Sequence, residues 1–216
     1  MLKPGDRITP DTETLAAYNL VLSGRIAEGL ADLKALIAKD VDNPMLQFSI
    51  AYAYELTGDY KAALQYYSKA LPGHVDVGQI LSNMSGCLIR LKKFKKALEF
   101  SIKAVELEPN NLQFRFNLAM AYESLKQWRL AYDHYKAYLA ANSDNIRAYR
   151  AAIRCCSKTS TTENAKAVSS SLEELCLSAL RLRPGQSWIR RKLVVVYIMR
   201  SDFRQAIQTS LHRWPA

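Results

Sequence analysis

Residues 112–145 read LQFRFNLAMAYESLKQWRLAYDHYKAYLAANSDN, and the reading of these 34 residues decides the fold. Two stretches with apolar residues at helical spacing flank Lys126-Gln127, so the segment is expected to form two short amphipathic helices joined by a tight turn. Sliding back by 34 residues gives Gly78 to Asn111, and by a further 34 gives Pro44 to Val77. The eighth residues of the three copies are Ala51, Ser85 and Ala119, and the twentieth are Ala63, Ala97 and Ala131. Small residues stand where two helices must touch. The eleventh residues are Tyr54, Leu88 and Tyr122, and the twenty-fourth are Tyr67, Ser101 and Tyr135, so large rings alternate with the small contacts in two copies. Pro109 closes the middle copy.

A period of 34 with this alternation resembles the tetratricopeptide repeat, a helix-turn-helix unit that stacks into a solenoid. The resemblance implies an all-α fold: a right-handed superhelical solenoid of about six antiparallel helix pairs, with the first helix of each pair lining a concave surface. The repeats are expected near 10–43, 44–77, 78–111, 112–145, 146–186 and 187–216, all in one domain. The first is degenerate, with Ala17 at its eighth position and Gly29 where later copies have alanine. Glycine there lowers helicity by roughly 1 kcal/mol against alanine but permits close approach of the neighbouring helix. The second breaks at Thr57-Gly58-Asp59 and ends at Pro72-Gly73. The third and fourth turn just before Phe94 and Trp128, which are expected to pack under their turns. The fifth carries about seven extra residues in or beside its turn, within KTSTTENAKAVSSS, residues 158–171, expected to form a loop or a lengthened helix at one edge of the solenoid, with a solvated loop favoured for its serines and threonines. The sixth stops at Arg213-Trp214-Pro215-Ala216, inside a second helix. An apolar end left there is expected to seek a partner: either the chain is a fragment of a longer protein, or the last helix docks on another subunit, the first being favoured slightly.

The 216 residues carry a net charge of +10. Residues 146–216 hold 13 Lys and Arg against 4 Asp and Glu, so nearly all the excess lies in the last third. Such asymmetry points to an acidic partner. No apolar run approaches the roughly 20 residues that cross a bilayer, and no apolar segment follows Lys3 and Arg7, so neither membrane insertion nor a secretory signal is expected. A cytoplasmic protein is expected. Cys87, Cys155, Cys156 and Cys176 have no Cys-x-x-Cys spacing and stand apart from His74, His134 and His212, which argues against a disulfide framework or a metal site. Gly-rich phosphate loops, His-Glu metal motifs and nucleophile elbows are missing, so no catalysis and no cofactor are expected.

Binding residues are expected on the first helices. Asn83 and Asn117 occupy the sixth positions of repeats three and four, each able to donate to and accept from the backbone of an extended peptide. They resemble the asparagine ladders of some tetratricopeptide superhelices. Phe48 and Phe116 hold fifth positions and Tyr18 and Tyr52 ninth positions, as candidate aromatic anchors. Arg147, Arg150 and Arg154 form a stripe at spacings of three and four, which Arg191 and Lys192 continue in repeat six. The stripe partly resembles the clamp by which some family members hold chaperone carboxylates, but Ser82, Gly86 and Ala151 stand where that clamp expects other residues, so chaperone binding is not expected. The function implied is a non-enzymatic scaffold that holds a protein segment, acidic near the last repeats. Arg150→Glu with Arg154→Glu is expected to abolish that binding. Nucleic-acid binding through the basic third, or service as the recognition arm of a larger enzyme, are the alternatives; for the former, Tyr149, Trp188, Tyr197, Phe203 and Trp214 are scattered rather than arrayed for stacking.

Overall fold

The computed structural model describes residues 11–73, 76–161 and 163–211, with only the backbone of Leu211. Lys3, Arg7, His74, His212 and the terminal residues 213–216 lie outside the described residues. Within the described residues are twelve α-helices and no strand. They come in six pairs: α1 (Thr12–Leu22) with α2 (Ile26–Ile37), α3 (Pro44–Thr57) with α4 (Tyr60–Ala70), and α5 (Val77–Arg90) with α6 (Phe94–Leu107). Then follow α7 (Leu112–Ser124) with α8 (Trp128–Ala141), α9 (Ile146–Lys158) with α10 (Ala165–Leu182), and α11 (Ser187–Met199) with α12 (Phe203–Leu211). The chain forms two compact units, one reaching Asn117 and the other starting at Leu118, so the boundary falls inside α7. In the first unit α2 packs on α3 and α4 on α5; in the second α8 packs on α9, and α10 on both α9 and α11. Each of these second helices therefore lies between its own partner and the next first helix.

Small residues make this contact close. Ala51, Ala63, Ser85, Ala97, Ala119 and Ala131 are each 0% exposed. At the degenerate end, a Cβ on Gly29 would stand 2.7 Å from both the Ala17 carbonyl oxygen and a Val21 methyl. Only glycine lets α1 and α2 approach this far.

The turns recur with the same period. Gly24, Gly58, Lys92 and Lys126 take left-handed backbone, with φ of 90°, 84°, 59° and 60°, and Ser201 does so in the last pair. In each case the next amide donates back to a carbonyl five residues earlier: Arg25 to Leu20, Asp59 to Tyr54, Lys93 to Leu88, Gln127 to Tyr122 and Asp202 to Tyr197, at 2.8–3.0 Å. This bond closes the last helical turn and satisfies a terminal carbonyl. Glycine adopts the left-handed region freely, whereas a residue with a Cβ does so at a cost of roughly 1–2 kcal/mol. Lys126→Gly is therefore expected to raise the unfolding free energy by about 0.5–1 kcal/mol, because relief of strain exceeds the chain entropy that glycine adds. Urea titration measures this; a lowered midpoint would show that the lysine is not strained.

The fifth pair departs from the pattern. α9 ends at Lys158 and α10 starts only at Ala165, where three residues separate α7 from α8, and α10 has 18 residues where α6 and α8 have 14. The extra length is split between turn and helix. Of the two forms expected for the insertion, the lengthened helix accounts for its second half, and the preference for a solvated loop is corrected there: from Ala165 the segment is helical, with Val168 and Ser169 buried. Val168, Leu172, Leu175 and Cys176 fall on one face and are buried, which draws the segment into a helix. Asn164 ties the turn itself, accepting from the Thr161 amide at 2.7 Å and donating to the Thr159 carbonyl at 3.0 Å.

Candidate functional site

In the first unit the candidate residues face one another across neighbouring helices. Tyr18 of α1 meets Tyr52 of α3 edge-on at 5.8 Å and Phe48 at 6.4 Å, and Phe48 meets Tyr67 of α4 at 5.7 Å. All but Tyr67 are half-buried, so one side of each ring packs and the other reaches the surface. Phe116 is half-buried in α7. The two asparagines use their amides within the protein. Asn83 donates to the Tyr67 hydroxyl at 3.0 Å and accepts from Gln79 at 2.7 Å. Asn117 donates to Ser82 Oγ at 2.7 Å and accepts from Gln113 at 3.2 Å, so it links α7 to α5. These hydrogen bonds tie successive repeats together and occupy part of what a ladder would offer a ligand.

Behind Asn83 lies a buried polar pair. Tyr67, wholly buried, donates its hydroxyl to Glu55 at 2.8 Å. Burial raises the Glu55 carboxyl above its ordinary value of 4.5, although the Tyr67 hydrogen bond pulls the other way. A raised value means that the folded state holds this proton more tightly than the unfolded chain does. The associated stability is present below the unfolded value and is lost as pH rises through the folded one. The unfolding free energy should therefore fall from about pH 4.5 upward by an amount that Glu55→Gln abolishes. Paired denaturation curves at acid and neutral pH measure the difference; an identical pH dependence in both proteins would refute it.

The second unit gathers the basic candidates. Arg150 and Arg154 on α9 and Arg191 and Lys192 on α11 line one groove of about 500 Å³, together with Lys158 and Trp188. Arg147 is exposed at the start of α9 and does not line it. The Arg150 guanidinium lies over the Trp188 ring, 4.8 Å from its centre. Stacking in this way leaves the in-plane N–H groups free to meet a carboxylate. Arg154 instead donates to Glu123 of α7. Glu123 also accepts the hydroxyl of Tyr135 on α8 at 2.9 Å, repeating the Tyr67–Glu55 pair one unit on. Arg150, Lys158, Arg191 and Lys192 form no ion pair among the described residues. Lys158 and Trp188 were not singled out as groove residues by sequence. The signal lay in the succession of repeats, since α9 and α11, the first helices of neighbouring repeats, bring Arg150 beside Trp188.

Elsewhere there is little chemistry. The four cysteines are free and buried, and burial pushes the Cys87, Cys155 and Cys176 thiols up to about 12. Thiols so raised are poor nucleophiles near neutrality. His134 stacks on Tyr122 at 5.4 Å. Among the described residues no three His, Cys, Asp or Glu are placed to hold a metal ion, and no helix is long and apolar enough to cross a membrane.

Comparison with known proteins agrees with the helix pairs. Models of the tetratricopeptide repeat match residues 14–74 and 78–111. Sperm-associated antigen 1 of Rattus norvegicus is 32% identical over 89 residues, which cover 41% of this chain and 10% of that protein. The photosystem I assembly protein Ycf3 of Prochlorococcus marinus is 29% identical over 101 residues, 45% of this chain and 58% of that one. The chain thus spans about a tenth of the length of the first relative and somewhat over half of the second. Among solved structures, PilF of Pseudomonas aeruginosa superposes with a TM-score of 0.74 at 15% identity, over 93% of this chain and 88% of that one. YrrB, described as a TPR protein with an unusual peptide-binding site, superposes with a TM-score of 0.64 at 20% identity, over 82% and 88%. At these identities the structures establish the fold.

Proposed function

Because the chain is a tetratricopeptide-repeat protein, we propose that it is a non-enzymatic binding module whose α9–α11 groove holds an acidic segment of a partner protein. Proteins of this kind mediate protein–protein interactions, and YrrB is described as carrying a peptide-binding site. The observation that carries the reading is the convergence of Arg150, Lys158, Arg191 and Lys192, none ion-paired among the described residues, around Trp188. Like charges gathered on two packed helices repel one another, and an acidic ligand removes that cost as it binds. The helices exist before the ligand arrives, so little ordering cost falls on this side of the complex. The four free, buried cysteines support a cytoplasmic setting for this activity.

The same groove reads poorly as a nucleic-acid surface. Tyr149 and Tyr197 are each 7% exposed and present no face to a base, Trp188 is already covered by Arg150, and Phe203, though exposed, stands on α12 and does not line the groove. Trp214 lies outside the described residues. The experiment is a titration with a short poly-glutamate peptide and, separately, single-stranded DNA, followed by tryptophan emission, with Trp188→Phe as control. A change with poly-glutamate that the control lacks supports the proposal. Retention of DNA alone, weakening steeply with salt, would replace it with the nucleic-acid reading.

A further inference from the structure

The groove does not end at a polar rim. Val195, the last α11 residue to line it, is 47% exposed, and beyond it Ile198, Met199 and Phe203 are 49%, 53% and 60% exposed. Val195, Ile198 and Met199 stand at spacings of three and four, on the same helical face as Arg191, four residues before Val195. Phe203 opens α12 just after the turn at Ser201. Along α11 one face thus begins with Trp188 and Arg191 and ends with bulky apolar side chains. A monomeric surface seldom carries such side chains side by side unless something covers them.

We propose that the partner segment is bipartite: an acidic run lying in the basic groove, continued by bulky apolar side chains that rest on Val195, Ile198, Met199 and Phe203. This rests on the reading of the groove as an acidic-segment site. Two observations name the occupant. The cations that form no ion pair call for carboxylates next to the apolar face, and Val195 belongs to both surfaces, so one continuous segment can cover them. Length also limits it. From Arg150 to Lys158 the α9 helix rises about 12 Å, which an extended chain crosses in about four residues. The acidic part is therefore short, and the apolar part follows directly.

The test compares three synthetic peptides by tryptophan emission and by calorimetry: a short glutamate run, the same run followed by leucine and phenylalanine, and the apolar pair flanked by serines. The bipartite peptide should bind at least about tenfold tighter than the glutamate run, the gain expected when an aliphatic and an aromatic side chain are only partly buried on an open surface. Met199→Asp should remove that increment and leave the glutamate run unaffected. Met199 is exposed, so the variant should fold; Ile198→Ser serves as a second variant, and circular dichroism checks both. Equal affinity of the two acidic peptides, with no effect of either variant, would overturn the bipartite reading while leaving the acidic groove standing. No binding by any peptide would overturn both. Sedimentation showing a dimer that Met199→Asp dissociates would also overturn it, by assigning the apolar face to a second copy.

Discussion

Replacing Arg150 and Arg191 together by glutamate is expected to lower affinity for an acidic peptide by at least about 100-fold, with helicity unchanged. Each residue lines the α9–α11 groove, neither forms an ion pair among the described residues, and both are exposed, so the substitutions remove favourable charge without opening the core. Losing one charged hydrogen-bonding contact costs about 1.5–3 kcal/mol, and reversal adds repulsion to the loss. Arg154 is a poorer target than the stripe on α9 suggests, because Arg154→Glu would put a second carboxylate against Glu123 and strain the α7–α9 contact. Peptide affinity and far-ultraviolet circular dichroism check the outcome together. Affinity within about threefold of the parent protein would remove the basic groove as the binding site, since that is below 1 kcal/mol.

The second large effect concerns the first unit. Tyr67→Ala is expected to cost about 4 kcal/mol, in the range for deleting a buried aromatic ring. Tyr67 is 0% exposed and packs among Ala51, Ala63, Ile80 and Cys87. Its hydroxyl also joins Glu55 to Asn83, so the truncation leaves two polar groups without their shared partner. Tyr67→Phe separates the contributions: it keeps the ring and should cost only about 1–2 kcal/mol. Urea denaturation of both variants measures the gap. Equal losses would place the stabilisation in the hydrogen bonds rather than in packing.

These two sites also mark where sequence was informative and where it was silent. The register of small residues marks α3, α5 and α7 through Ala51, Ser85 and Ala119, because a periodic demand for close approach shows in one chain without knowledge of its neighbours; in α9 and α11 the same position holds Ile153 and Val194. Helical spacing likewise joined Arg150 to Arg154, since both are on α9. It did not foresee that Arg154 would be held by Glu123, 31 residues away. Contacts between elements depend on side-chain reach, which periodicity does not encode. Asn83 and Asn117 illustrate the same point: their shared position was legible, but not that Tyr67 and Ser82 would take up their donors. The serines and threonines of residues 158–171 suggested a loop by composition, and the Val168–Leu172–Leu175 spacing was the stronger signal.

Glu123 serves two regions at once. Its carboxylate receives the hydroxyl of Tyr135 from the interior of the α7–α8 pair and the guanidinium of Arg154 from the groove. It therefore acts as an internal competitor for Arg154. Ligands that engage only Arg150, Lys158, Arg191 and Lys192 leave it undisturbed, whereas one that captures Arg154 strips a largely buried carboxylate of its cation. Selectivity among acidic segments is then decided partly by a residue no ligand touches, through the position at which each segment places its negative charge along α9.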